Sequence, residues 1–177
     1  GAEDLRDIDR TLRPLDRGTL ERADVLVRGG RIAAVGTNLA AAGATVIDAN
    51  GRPLTPGLFG GITALGVVEV SQEPTTVDNA SPHGDEKGAP PEPRPEFDVT
   101  LSFNPDSAVI GVNRVEGITY AMVAPAGVSG NAVISGQGSV ARLDGRPEAM
   151  LAPSRTLFAN LGADVSRAAQ FMLLEQA

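Results

Sequence analysis

The fold is decided by two stretches, ADVLVRGGRIAAVG at residues 23–36 and TVIDANGRPLTPGLFGGITALG at residues 45–66. Three short runs rich in Val and Ile predict strands; they centre on residues 25–27, 32–35 and 45–47. Gly29 and Gly30 favour a tight hairpin turn between the first two runs, because glycine accepts a positive φ at little cost. The pattern therefore predicts a meander of short strands with polar turns.

The next run, Leu58–Leu65, is apolar throughout. A strand buried on both faces of a parallel sheet reads as a continuous apolar run rather than an alternating one. Gly60 and Gly61 weaken such a strand but allow another backbone or a ligand to approach closely. We therefore expect a buried parallel strand here, preceded by the Asn50-Gly51 turn signal.

These stretches resemble the N-terminal segment of the amidohydrolase superfamily, most closely its imidazolonepropionase-like and dihydroorotase-like branches. In that superfamily the residues after Pro-Gly-Leu carry a His-x-His pair that enters a catalytic metal site. The matching positions here are Ile62 and Ala64, and Gly60 stands where the family often has an Asp. FNPDS, NRVEGIT and ISGQ further along also resemble a less characterised, often exported branch.

The resemblance implies an α/β fold in two parts. Residues 1–57 would form the N-terminal half of a composite β-sandwich. Residues 58–177 would begin a TIM-like (β/α)8 metal-dependent hydrolase barrel. A complete barrel needs roughly 250 residues, so we expect 177 residues to be a truncated segment of a longer protein.

The segment from Phe103 to Gly117 predicts a helix that connects two parallel strands. Asp106 or Ser107 can take the N-cap position, and Gly117 suits the residue after the C-terminus. Three valines recur at a spacing of three and predict one apolar face of the helix: Val109, Val112 and Val115. The apolar run 118–124 predicts the second parallel strand.

Two other segments carry clear patterns. Residues 71–98 are rich in proline, glycine and charge, which predicts an exposed irregular loop. His83 lies within it and is either a solvated loop residue, which its surroundings favour, or a ligand on a lid. At the other end of the chain, the apolar spacing in residues 163–177 predicts a helix.

The candidate substrate-binding residues lie in a glycine-rich stretch at 126–145. Asn131, Ser135 and Gln137 offer neutral donors and acceptors, and in a barrel the loops after strands line the active-site face. The favoured alternative is a hairpin whose polar side chains cap its own backbone. No P-loop lysine follows, and Ser135 lacks the first glycine of a nucleophile elbow.

Composition limits the cofactors and partners. One histidine and no cysteine cannot supply a zinc site of the kind built from several imidazoles, so we expect no metal in this chain, although the family resemblance implies zinc in the parent. A net charge of −7 with scattered basic residues argues against nucleic acid. The sequence holds no apolar run of the roughly 18 residues that a membrane span requires. The sequence does not determine the cellular compartment, and the resemblance slightly favours export.

The activity that the resemblance implies is hydrolysis of a C–N bond in a small amide or cyclic amide. In the family a metal-bound hydroxide attacks the carbonyl and an Asp shuttles the proton. The alternative is a catalytically inactive pseudo-enzyme or interaction module that keeps only the fold, and Ile62 and Ala64 favour it. We also expect exposed apolar edges to self-associate or to pack on a missing C-terminal segment.

Overall fold

The structure, a computed structural model, describes residues 5–8, 20, 22–40, 42–80, 93–127, 133–151, 155–161 and 166–176. The chain divides into two compact units, Gly1–Pro56 and Gly57–Ala177. Among the helices of the described ranges, none is both long and apolar enough to cross a membrane.

The first unit contains a four-stranded sheet in the order β3-β2-β1-β4. Its strands are β1 (Leu5–Ile8), β2 (Asp24–Arg28), β3 (Arg31–Gly36) and β4 (Thr45–Asp48). β1 pairs antiparallel with β2 and parallel with β4. Strands β2 to β4 lie where the sequence predicts them, whereas β1 lies in a polar, acidic segment whose composition gave no strand signal.

Two turns of this unit use the backbone freedom that their residues provide. Gly29 and Gly30 have φ of 55° and 72°, and Asn50 and Gly51 have φ of 56° and 70°. Positive φ at both central residues matches the twist of a tight hairpin, and it confirms the predicted turn between β2 and β3.

The second unit contains another four-stranded sheet, in the order β5-β6-β7-β8. Its strands are β5 (Leu58–Thr63), β6 (Ile118–Val123), β7 (Ile134–Arg142) and β8 (Thr156–Ala159). The described residues of the unit also include two α-helices, α1 (Ala108–Val115) and α2 (Arg167–Gln176), and two 3-10 turns, Pro74–Thr76 and Val99–Ser102. Val67, Val99, Val123 and Ala141 form a buried cluster at its centre.

The expected α/β fold, a sandwich edge followed by the opening βα units of a (β/α)8 barrel, is wrong. Most of the regular secondary structure in the described residues is strand, and these residues show no repeat of βα units. β5 and β6 are parallel with α1 between them, but β7 and β8 then pair antiparallel. Only residues 124–133 connect β6 to β7, fewer than the dozen or so that a parallel crossover needs.

The predicted glycine-rich loop at 126–145 is also largely wrong, because it contains the longest strand, β7. Glycine depresses strand propensity, but here it allows close packing. A Cβ at Gly136 would lie 2.5 Å from the carbonyl oxygen of Phe97, and one at Gly138 would overlap the carbonyl oxygen of Val123. Two backbone segments can therefore approach β7 closely only because these positions lack side chains.

Helix α1 confirms the predicted helix but not its buried face. Ile110 is buried and packs with Ala121 and Leu143, whereas Val112 and Val115 are exposed. The helix has eight residues, and Ile110 is the one that is buried, in place of the predicted three-residue stripe. Ser107 is the N-cap, although its side chain makes no cap hydrogen bond.

The structure describes only part of the two remaining predicted segments, 163–177 and 71–98. Helix α2 forms within the predicted range 163–177, and its Phe171 and Met172 are exposed. In the predicted irregular stretch 71–98, the described residues include the 3-10 turn Pro74–Thr76. His83 lies outside the described residues.

Candidate functional site

The carboxyl ends of the parallel strands β5 and β6 lie side by side. The backbone N–H of Ala124 donates to the carbonyl oxygen of Thr63 at 3.1 Å. Ser139 of β7 pairs with Val123, the last residue of β6. Because β7 runs antiparallel to β6, its residues before Ser139 extend past this end, and Gln137 therefore lies beyond the carboxyl edge. In open α/β sheets, ligands bind outside the carboxyl ends of the strands; this sheet shares that arrangement at its one parallel pair, β5 and β6.

A nearly buried carboxylate, Asp98, lies beside this part of β7. Its side chain is 8% exposed, and its backbone forms a parallel bridge with Gln137. Asp98 Oδ1 accepts hydrogen bonds from the backbone N–H of Thr100 at 3.1 Å and from Thr100 Oγ1 at 2.6 Å. These bonds make Asp98 the N-cap of the 3-10 turn Val99–Ser102, which fixes the direction of the carboxylate.

Arg155, immediately before β8, completes a polar cluster with Asp98 and Gln137, here called the Arg155 cluster. Arg155 Nη2 donates to Asp98 Oδ2 at 2.6 Å, and Arg155 Nη1 donates to Gln137 Oε1 at 3.3 Å. Gln137 Nε2 donates in turn to the carbonyl oxygen of Pro95 at 2.7 Å. Both ends of the Gln137 amide are therefore bonded, and its orientation is set by the network.

The Arg155 cluster can orient a polar group but does not by itself provide a nucleophile or a proton relay. Its guanidinium carries five N–H donors, of which Asp98 and Gln137 take one each. The Arg155 side chain is 66% exposed, so part of this donor set faces solvent. The arrangement suits recognition of an acceptor group on a small molecule.

The structure describes two of the three predicted substrate-binding residues and places them in different surroundings. Gln137 joins the Arg155 cluster. Ser135, two residues earlier in β7, is only 2% exposed, so its hydroxyl is enclosed by protein. Asn131 lies outside the described residues. Their roles in substrate binding stay a prediction.

The positions that match the family's His-x-His pair do not fit a metal ion. Ile62 is 70% exposed on β5, while Ala64 follows the strand and packs against the buried cluster around Val67 and Val123. Neither side chain has a donor atom, and the two differ in environment. Within the described ranges, no three Asp, Glu, His or Cys side chains gather as a possible metal site.

Sequence reasoning missed Asp98 and Arg155. Asp98 ends the proline-rich stretch that predicts an irregular loop, and Arg155 follows a segment with no motif. The pattern Asp-x-Thr at 98–100 is typical of an N-cap and could have indicated the turn. Nothing in the sequence pairs Asp98 with Arg155, because the contact depends on how β7 and β8 pair.

No protein-family model and no curated protein sequence matches the chain. Among solved structures, the fold is similar to that of an amidohydrolase from Thermotoga maritima MSB8, with a TM-score of 0.73 and 23% sequence identity. The match covers 97% of this chain and 41% of that chain, so the chain spans less than half the length of the protein it resembles. At this identity the likeness is one of fold.

Proposed function

We propose that the chain is part of an amidohydrolase-like hydrolase that cleaves a C–N bond in a small amide or cyclic amide. The observation that carries the proposal is the fold likeness to an amidohydrolase over 97% of the chain. Gln137 lies past the carboxyl edge of β5 and β6, the parallel pair of this mixed sheet, and ligands of open α/β sheets bind outside the carboxyl ends of their strands.

The proposed role of this chain in the reaction is to bind and orient the substrate. Asp98 and Gln137 hold the guanidinium of Arg155 before any ligand arrives, and preorganised donors lose little entropy on binding. A metal is the usual source of the nucleophile in such hydrolases. Ile62 and Ala64 have no donor atom to hold one.

The proposal is tested by measuring hydrolysis of a panel of linear and cyclic amides. The assay uses the 177-residue chain and the longest polypeptide that can be expressed from its gene. Release of the amine and of the carboxylic acid is followed by mass spectrometry, with and without added zinc. We expect turnover of at least one amide by the longer polypeptide and a lower kcat/KM in Gln137→Ala, whose amide network is lost. Gln72→Ala, the same change at an exposed glutamine, serves as the matched control.

The alternative is a pseudo-enzyme or interaction module that keeps only the fold. It is favoured by one observation, the apolar residues at both positions where the family has histidines. The same panel separates the two functions. Saturable binding of an amide by the longer polypeptide, with no product after prolonged incubation with metal, would favour the pseudo-enzyme.

A further inference from the structure

We propose that Asn50 is a site of spontaneous covalent modification, at which the folded protein forms a succinimide with Gly51 and then isoaspartate. Asn50 is the only asparagine in the sequence that precedes a glycine. The inference goes beyond the proposed function, because it concerns the chemistry of one turn in the first unit, Gly1–Pro56. It therefore stands or falls separately from any hydrolase activity.

Asn50 and Gly51 are the central residues of the turn that follows β4. The backbone N–H of Arg52 donates to the carbonyl oxygen of Ala49 at 3.2 Å, which closes the turn. Both central residues are exposed, and a Cβ on Gly51 would meet nothing within 4 Å. Water and buffer therefore reach the Asn50 side chain and the backbone that follows it.

The reacting atoms of this turn are not held by other groups. Within the described residues, neither the backbone N–H of Gly51 nor the side-chain amide of Asn50 forms a hydrogen bond. The bond from the backbone N–H of Asn50 to Asp48 Oδ1, at 2.8 Å, leaves the Asn50 side chain free. Glycine also has no side chain to hinder attack and rotates more freely than other residues. The Gly51 nitrogen can therefore approach Asn50 Cγ.

Asn38 shows an arrangement that hinders the same reaction. It is also exposed, and its φ of 53° is close to the 56° of Asn50. The residue that follows it is Leu39, whose backbone N–H donates to Asp24 Oδ2 at 2.9 Å. The nitrogen that would attack is thus already engaged, and a branched side chain crowds it. Two asparagines with similar backbone conformation differ mainly in the neighbouring nucleophile.

The reaction needs water as its one co-reactant. The Gly51 backbone nitrogen loses its proton and attacks Asn50 Cγ, and the Cγ–Nδ2 bond breaks to release ammonia. Water then opens the succinimide at either carbonyl and gives aspartate or isoaspartate. A carboxyl group of this kind has an ordinary pKa of about 3.9 and is ionised at neutral pH. The product therefore adds one negative charge close to Asp48, and isoaspartate also adds a methylene to the main chain.

The test is prolonged incubation of the folded 177-residue chain in mildly alkaline buffer, where more of the attacking amide is deprotonated. Isoelectric focusing separates the product by its added charge. Peptide mass spectrometry locates the mass increase of about one dalton, and electron-transfer fragmentation distinguishes isoaspartate from aspartate. We expect isoaspartate at Asn50, formed at least about tenfold faster than any product at Asn38, because the Gly51 nitrogen is unhindered.

Two matched substitutions assign the acidic species to its site. Asn50→Gln should abolish it, because the longer side chain closes a six-membered ring much more slowly. Asn38→Gln, the same change at the other exposed asparagine with a positive φ, should leave it unchanged. Circular dichroism verifies that both variants remain folded. A parallel incubation in urea reports the reaction of the unfolded chain.

The proposal is overturned if the folded chain yields no isoaspartate at Asn50, if Asn38 reacts as fast, or if folded Asn50→Gln forms the acidic species as the wild type does. Reaction at Asn50 in urea alone would also overturn it, because the folded turn would then protect the residue. Aspartate without isoaspartate would indicate direct hydrolysis of the side chain and would contradict the succinimide.

Discussion

Arg155 Nη2 lies 2.6 Å from Asp98 Oδ2, although 57 positions separate the two residues in the chain. The pair joins the residue that precedes β8 to the residue that caps the 3-10 turn Val99–Ser102. Gln137 of β7 lies between them and bonds to Arg155. Three distant segments are thus connected by polar side chains beside the carboxyl edge of β5 and β6.

Removing the carboxylate should destabilise this connection. Asp98→Ala loses the bonds to Thr100 and Arg155, and we expect a loss of about 1–3 kcal/mol in the free energy of unfolding, the cost typical of removing a cap and a nearly buried partner. Because Arg155 is largely exposed, its ion pair with Asp98 contributes only a small part of this loss in unfolding free energy. Urea denaturation measures the change. Arg146→Ala, an exposed control, should change stability by less than about 0.5 kcal/mol, and an equal effect of both variants would contradict the prediction.

A methyl group at Gly136 should be poorly tolerated. This residue has a φ of 121°, and an added Cβ would lie 2.5 Å from the carbonyl oxygen of Phe97. Gly136→Ala combines backbone strain with a steric clash, and we expect a loss of about 2–4 kcal/mol. Circular dichroism during a urea titration checks it. A wild-type midpoint in Gly136→Ala would show that the backbone near Phe97 shifts freely.

The sequence predicts the parts of the fold that depend on local chemistry. Gly29 and Gly30 mark the turn between β2 and β3, and Gly117 ends α1 with a φ of 89°, because positive φ favours glycine. Strand β7 was not predicted because glycine is unfavourable in strands. Its glycines are required only by the backbone segments of Phe97 and Val123 that pack closely on it. For the same reason the sequence indicated Gln137 as a polar candidate but could not indicate Asp98 or Arg155 as its partners.

Replacing a second glycine, Gly111, should increase stability instead of lowering it. Gly111 lies inside α1, and a Cβ there would meet nothing within 4 Å. Alanine is the better helix former and reduces the freedom of the unfolded chain, so Gly111→Ala should stabilise the protein by about 0.5–1 kcal/mol. The melting temperature of this variant should rise, and a fall would mean that α1 packs more tightly at Gly111 than the structure indicates.

The chain should hold no tightly bound zinc. Ile62 and Ala64 occupy the two positions that carry histidines in the family it resembles, and His83 is its one imidazole. Elemental analysis after purification without chelator should give far less than one zinc per chain. We also expect Ile62→His/Ala64→His to gain little zinc affinity, because Ile62 is exposed whereas Ala64 is partly buried against the cluster around Val67 and Val123. One equivalent of zinc in the wild-type chain, retained through gel filtration, would refute the prediction.

The isolated chain should associate through its apolar surface. Strand β5 forms one end of its sheet, and its Leu58, Phe59 and Ile62 are all at least half exposed. An exposed apolar edge strand presents both unpaired backbone groups and a hydrophobic patch, which drive association between chains. We expect light scattering at micromolar concentration to detect species larger than a monomer. Ile62→Lys places a charge on this edge and should shift the population toward monomer, whereas Glu96→Gln, an exposed change elsewhere, should not. A monodisperse wild-type monomer with a sharp cooperative melt would show that the 177 residues form a self-sufficient domain.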